Sequence, residues 1–209
     1  MTLKQIRDRV RIHIDEPSEE SWADAQLNSL IAGATEEVAS LFLTLDDSFY
    51  ITDDTFTIIA GTETYDLPTG FLRIKELRDD KENPIFRLYA VGRRSDFLNI
   101  GHTVRYYFQK GKIGFLAIPS ADAIYPYKYI KAADALDITD DVAVPDVPEY
   151  LGHTLISIYA ALVAMDMDEE TSSYLINKKR DLERQIIDLY SQRNTDFPRM
   201  VESDPDLEL

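Results

Sequence analysis

Apolar side chains recur along this chain in two rhythms, and the changes between them divide it. Leu3, Ile6 and Val10 share one face of a short helix that ends before Pro17. Leu27, Ile31, Ala34, Val38, Leu41 and Leu45 then recur at alternating four- and three-residue steps, the stripe of a long helix packed on other helices. Ser21-Trp22-Ala23-Asp24 reads as its capping box, with Trp22 as a packing anchor. After Asp46 and Asp47 the period alternates, and a turn-rich β region runs from Ile51 to Val144.

The entrance to that region is Thr55 to Leu77, two strands around a broken corner. Tyr65-Asp66-Leu67-Pro68 between them is expected at a sheet edge, because Pro68 has no amide hydrogen and forces Leu67 into an extended conformation. Asp79 to Pro84 is a polar turn leading into a strand at Ile85 to Leu88. Thr103 to Phe108 and Ile113 to Ile118 flank Gln109-Lys110-Gly111-Lys112 as a hairpin. Gly101, Gly111 and Gly114 read as turn and bulge glycines. Ile124 to Ile130 is a further strand with Tyr125, Tyr127 and Tyr129 on one face, arranged for cross-strand packing, a subunit or tail contact, or stacking on a sugar or base.

From Pro145 the helical rhythm returns. Leu151, Leu155, Ile158, Leu162 and Met165 form one stripe beside small Ala160, Ala161 and Ala164; Leu175, Leu182, Ile186 and Leu189 form the next. The two make an αα-hairpin whose partner is the Leu27 to Leu45 helix, leaving no stripe uncovered, so the isolated chain is expected to be monomeric or weakly associated. The fold class is α+β: a discontinuous helical bundle (1–50 and 145–193), an inserted antiparallel β module (51–144), and an extended C-terminal arm (194–209). Two prolines and five acids forbid that arm from continuing the helix.

Composition narrows the chemistry. The 209 residues contain no cysteine, which removes disulfides and thiolate chemistry, and carry 38 acidic against 22 basic side chains, a formal net charge of −16 that opposes broad affinity for nucleic-acid phosphates. No signal peptide or membrane-spanning run is read, so a soluble protein is expected. The basic residues of the first helix, Lys4, Arg7, Arg9 and Arg11, form either a solvated face or a docking face for an acidic neighbour. His13, His102 and His153 lack metal-ligand spacing, and Asp134, Asp137, Asp140 and Asp141 cluster without the glycine of a calcium loop. Neither a nucleophile elbow nor a phosphate loop is present. The reading is of a protein that is no enzyme and uses no cofactor or metal.

The helix containing Asp24-Ala25-Gln26-Leu27, then Gly61-Thr62-Glu63-Thr64-Tyr65-Asp66-Leu67-Pro68 and Phe71-Leu72-Arg73-Ile74, resembles the head-to-tail adaptor proteins of tailed bacteriophages. The resemblance continues through Lys112 to Pro119, the aromatic strand from Tyr125 to Tyr129, and Val144 to Tyr150 entering an Ala-rich helix; it covers Ser21 to Arg193. The loops from Tyr89 to Gly101 and Ala132 to Asp141 carry no family signature. The resemblance implies a structural virion protein of the neck, made in the host cytoplasm. Its subunits would form a ring, usually twelvefold, that joins the portal protein at the capsid vertex to a tail or nozzle protein, with genomic DNA passing through unbound and no membrane involved. The C-terminal segment is either a frayed end or, as the resemblance implies, an arm that attaches to the portal through Phe197, Pro198, Arg199, Met200, Val201, Leu207 and Leu209. A tail-tube or tail-completion protein and a carbohydrate-binding virion protein are the alternatives.

Overall fold

The computed structural model describes residues 1–16, 21–87, 105–116 and 118–195. Helices α1 (Leu3–His13), α2 (Asp24–Leu45), α3 (Glu149–Met167) and α4 (Ser173–Thr195) bracket seven strands: β1 (Ile51–Ile58), β2 (Thr64–Asp66), β3 (Phe71–Leu77), β4 (Phe86–Arg87), β5 (Arg105–Gln109), β6 (Lys112–Phe115) and β7 (Ala123–Lys131). The fold is α+β. The chain forms two compact units: the described residues of Met1–Asp46 and Ala135–Leu209, and Asp47–Asp134.

In the helical unit α3 is packed against α1, α2 and α4. Its buried positions, among them Leu155, Ile156, Ile158, Ala160, Ala161 and Ala164, run around most of its circumference rather than along one stripe, as a central helix requires. The outer helices keep single faces, each ending differently from its periodic expectation. On α2 the buried stripe closes on Phe42 instead of Leu41 and Leu45, and on α4 it closes on Tyr190 instead of Leu189; the Phe42 and Tyr190 rings meet edge to face at 5.4 Å. The start of α2 also differs from expectation. Ala23 is the N-cap, and the Gln26 side chain accepts its amide at 3.0 Å, while Asp24 is engaged elsewhere. Segment 135–144, expected with the β module, hydrogen-bonds into the helical unit: Leu3 N donates to Ala143 O at 2.7 Å, and Asn28 Nδ2 to Ile138 O at 3.0 Å.

The β unit has a three-stranded antiparallel sheet, β1-β7-β3, and a four-stranded sheet, β2-β6-β5-β4. Strand β2 is an edge, as Pro68 demands. Strand β4 runs parallel to β5, which departs from an all-antiparallel module. The β5–β6 hairpin turns through Lys110 and Gly111, at φ of +50° and +76°, the left-handed pair of a tight two-residue turn. Gly114 is no bulge: a Cβ there would lie 2.5 Å from Cζ of Tyr107, whose ring covers it from the facing strand. Pro126 occupies the centre of β7, which is tolerated because β3 ends at Leu77 and Pro126 only accepts there, from Arg78 N at 3.0 Å. Residues of both sheets share one core of Phe56, Ile58, Leu77, Tyr106, Ile113, Phe115 and the β7 tyrosines.

Candidate functional site

The basic face of α1 proves to be two faces. Lys4 and Arg9 are exposed, but Arg7 and Arg11 are only 6% and 7% exposed. Arg7 Nη1 donates to Asn28 Oδ1 at 3.0 Å and Asp141 Oδ1 at 2.9 Å, and its Nε lies 3.1 Å from Asp24 Oδ1. Arg11 Nη2 donates to the same Asp24 oxygen and to Trp22 O, both at 2.8 Å. Trp22 is buried and passes its indole hydrogen to Asp168 at 2.9 Å. The acidic neighbour is therefore internal: carboxylates from α2 and segment 135–144 neutralise two guanidiniums lying beside the apolar stripe. The signal in the sequence was their spacing, four apart and flanking Leu3, Ile6 and Val10.

The acid cluster dissolves in the same way. Asp141 faces Arg7, whose hydrogen bond holds its carboxyl below the usual range; Asp134 accepts from Lys131 at 2.5 Å, Asp137 from Thr139 N at 2.9 Å, and Asp140 from Val142 N at 3.0 Å. Among the described residues no group of three histidines or acids is placed to hold a metal, and no helix is long and apolar enough to cross a membrane. His153 is buried with Nδ1 2.5 Å from the Met1 amine, and burial pushes its pKa down. His102 lies outside the described residues.

Tyr125, Tyr127 and Tyr129 share one face of β7, but that face is the core, and the three residues are 8%, 4% and 5% exposed. Tyr127 stacks on Phe56 at 4.0 Å, Tyr129 on Phe71 at 5.7 Å, and Tyr125 meets Phe115 edge to face at 5.4 Å. Cross-strand packing takes up these rings and leaves little of them at the surface of the unit. The sequence showed the alternation but not which sheet face would be covered. A cleft of about 510 Å³ opens beside Tyr127, lined by Asp53, Asp54, Glu76, Arg78 and Lys128. Its charges are largely internal pairs: Glu76 with Arg78, and Asp53 with Lys128 at 3.9 Å; Asp54 accepts from the Tyr127 hydroxyl at 3.0 Å.

The helical unit keeps apolar surface outside. Val163, Met167, Tyr174, Ile176, Ile187 and Leu189 are exposed on α3 and α4, against the expectation that every stripe would be covered. Three outer helices around α3 leave the far side of α4 unpacked. A groove of about 370 Å³ runs between the α3–α4 connection and α2, lined by Leu162, Val163 and Ile176 together with Glu37, Asp166, Glu170 and Lys179. The groove's cation, Lys179, lies 3.8 Å from the Tyr159 ring centre and 3.9 Å from Glu183. The Tyr159 hydroxyl donates to Glu183, and burial followed by that carboxylate raises its pKa.

Phe197, Pro198, Arg199, Met200, Val201, Leu207 and Leu209 lie outside the described residues. No curated protein matches the chain. Residues 1–202 match the family model described as SU10 adaptor protein, and the chain belongs to that family of structural phage adaptors of the virion neck.

Proposed function

We propose that this adaptor assembles as a ring of identical subunits that joins the capsid portal to the tail and encloses the channel through which the genome leaves. The observation that carries the reading is the family match across residues 1–202. Two features of the chain support it. A net charge of −16 suits a wall past which a duplex slides without adhering. A terminal segment combining Phe197, Pro198, Arg199, Met200, Val201, Leu207 and Leu209 suits an arm that fills a groove on the portal; even weak arms, repeated around a ring, give high avidity. The working parts are a helical bundle, a β module and this arm.

The test mixes the protein with portal rings of its phage and reads co-sedimentation and negative-stain images. Full-length protein is expected to add a ring to one end of the portal. Truncation after Arg193 is expected to leave Tm nearly unchanged and to abolish co-sedimentation. Full-length protein that never binds portal overturns the reading; a truncated protein that binds with unaltered affinity removes the arm from it.

A further inference from the structure

The sheet edges of the β unit are finished differently. Strand β2 is three residues long and runs into Pro68, and β4 is two residues long. Strand β3 has two register breaks, between Phe71 and Arg73 and between Ile74 and Glu76, and its Leu77 O accepts from Ile85 N at 2.8 Å. Strand β1 has none of these devices. It pairs with β7 in unbroken register from Ile51 to Ile58, contains no proline, glycine or lysine, and among the described residues no strand pairs with its other side. The phase of its hydrogen bonds follows from Pro126. Pro126 O accepts from Arg78 N on the β3 side of β7, so its partner Thr55 faces away from β7. Alternate residues repeat that direction, and Asp53, Thr55 and Thr57, all exposed, turn their amides and carbonyls to the open edge. The Thr55 amide is taken up by the Asp54 carboxylate at 2.7 Å; on that side the described residues supply no main-chain partner for Asp53 or Thr57.

We propose that β1 is a docking edge, and that its occupant is an extended basic strand of another virion protein, added to the β1-β7-β3 sheet. Unpaired main-chain groups select an extended segment, and the side chains beside them select its charge. Strand β1 carries Asp53 and Asp54 and no base. In the adjoining cleft Asp53, Asp54, Glu76 and Glu82 stand against Arg78 and Lys128, four acids to two bases. Both bases are engaged, Arg78 by Glu76, and Lys128 by Asp53 at 3.9 Å. The other bases of this sheet are engaged too: Arg73 and Lys75 by Asp47, with β7 between them and β1, and Lys131 by Asp134. Asp54 meets no cation, only the Tyr127 hydroxyl and the Thr55 amide. Like charge bars the chain's own segments. Two copies of β1 laid antiparallel would gather two Asp53 and two Asp54 carboxylates at the middle of one ladder, and the terminal segment opposes Arg199 with Asp196, Glu202, Asp204, Asp206 and Glu208. A cationic partner instead draws the Asp54 carboxylate off the Thr55 amide and frees that amide for the new ladder. Exposed Ile51 at one end of the outer face, and exposed Ile124 opposite Thr57 at the other, suit a strand that is apolar at its ends and basic at its centre.

The test uses full-length protein and a capped synthetic peptide with valines at its ends and alternating lysines at its centre. The controls are the same peptide with glutamate for lysine, and a peptide of residues 196–209. Fluorescence anisotropy of labelled peptide gives affinity, and residue-resolved hydrogen exchange gives the place of binding. The lysine peptide is expected to slow exchange of the Asp53 and Thr57 amides by about tenfold or more, and the two acidic peptides to leave both unchanged. Thr57→Pro removes an outward amide that takes no part in the β1–β7 ladder, so it should weaken lysine-peptide binding by about tenfold at nearly unchanged Tm. Should proline disturb the strand, Asp53→Lys serves: it is expected to weaken the lysine peptide and admit the glutamate one. Lysine peptide that leaves the Asp53 and Thr57 amides unprotected overturns the proposal, as does equal binding of either acidic peptide. Protection of those amides that grows with protein concentration in the absence of peptide identifies a second copy as the occupant and also overturns it. The ring reading stands apart from all these outcomes, since portal co-sedimentation tests it.

Discussion

The two compact units close their cores by different chemistry. The β unit is filled by a run of touching rings, Phe56 on Tyr127, Tyr127 beside Tyr129, Tyr129 on Phe71, and ion pairs such as Lys112 with Asp66 at 2.8 Å sit outside that core on exposed side chains. The helical unit is aliphatic around α3, contains the Phe42–Tyr190 ring pair, and seals the α1 side with two buried guanidiniums. Rings gain from area and tolerate any ionic state, whereas a buried guanidinium depends on every acceptor around it. The helical unit is therefore the one in which a single change of charge is expensive, at Arg7 and Arg11.

The largest effect expected from a single change comes from adding a charge where there is none. Ile158 is fully buried in α3, and Ile158→Asp is expected to cost about 4 kcal/mol or more, since burial removes the new carboxylate from water. Gln109→Ala in the exposed β5–β6 hairpin is expected to cost less than about 0.5 kcal/mol. Urea melts followed by circular dichroism measure both. Equal losses would mean that the helical core does not carry the stability assigned to it.

A smaller loss separates the two kinds of closure. Arg7→Ala takes the Arg7 hydrogen bonds from Asn28 Oδ1 and Asp141 and leaves Asp24 to Arg11, and is expected to cost about 3 kcal/mol, whereas Arg7→Met, which keeps the stem, should recover part of it. Tyr127→Phe keeps the ring stack and forfeits one hydroxyl contact to Asp54, a loss of about 1 kcal/mol. If Tyr127→Phe proved the costlier of the two, the β core would be polar in its energetics and the contrast between the units would fall.

The same contrast explains what could be read from the chain. Leu3, Ile6 and Val10, the α2 stripe as far as Val38, the β5–β6 hairpin and the edge position of Tyr65-Asp66 all follow from local rules of period, turn chemistry and missing amides. The inward turn of Arg7 and Arg11 does not, because it depends on Asp24 and Asp141 arriving from distant parts of the chain. Which face of β7 would be covered was equally closed to sequence, since alternation fixes the face that Tyr125, Tyr127 and Tyr129 share but not the sheet that packs on it. The exchanges of Leu41 for Phe42 and Leu189 for Tyr190 share that cause: an outer helix turns its larger ring toward a partner that periodicity cannot see. The exposed apolar side chains of α4 were hidden for a further reason. Its Ile176 and Tyr174 read as ordinary members of a helix until α3 took its other side and left them uncovered.

The smallest effect concerns acid, and it tests whether charge truly holds α1. The hydrogen bond from Arg7 keeps the Asp141 carboxyl below its ordinary pKa, so the pair contributes its full stabilisation above the unfolded value of about 3.9 and loses it as pH falls through the lower folded value. Because the Asp141 side chain is itself well exposed, solvent screening keeps this contribution modest. The chain's single tryptophan supplies a local reporter, since Trp22 is buried, accepts at its carbonyl from Arg11, and donates its indole hydrogen to Asp168 within the same unit. Titrated downward from neutrality in a fixed concentration of urea, the wild type is expected to show its Trp22 emission change steepening below the ordinary carboxylate range. Asp141→Asn should start from slightly lower stability at neutral pH and follow a flatter course. A variant that traced the wild-type curve would show that the ordinary carboxylates of the chain, and not the one facing Arg7, govern the acid response of the helical unit.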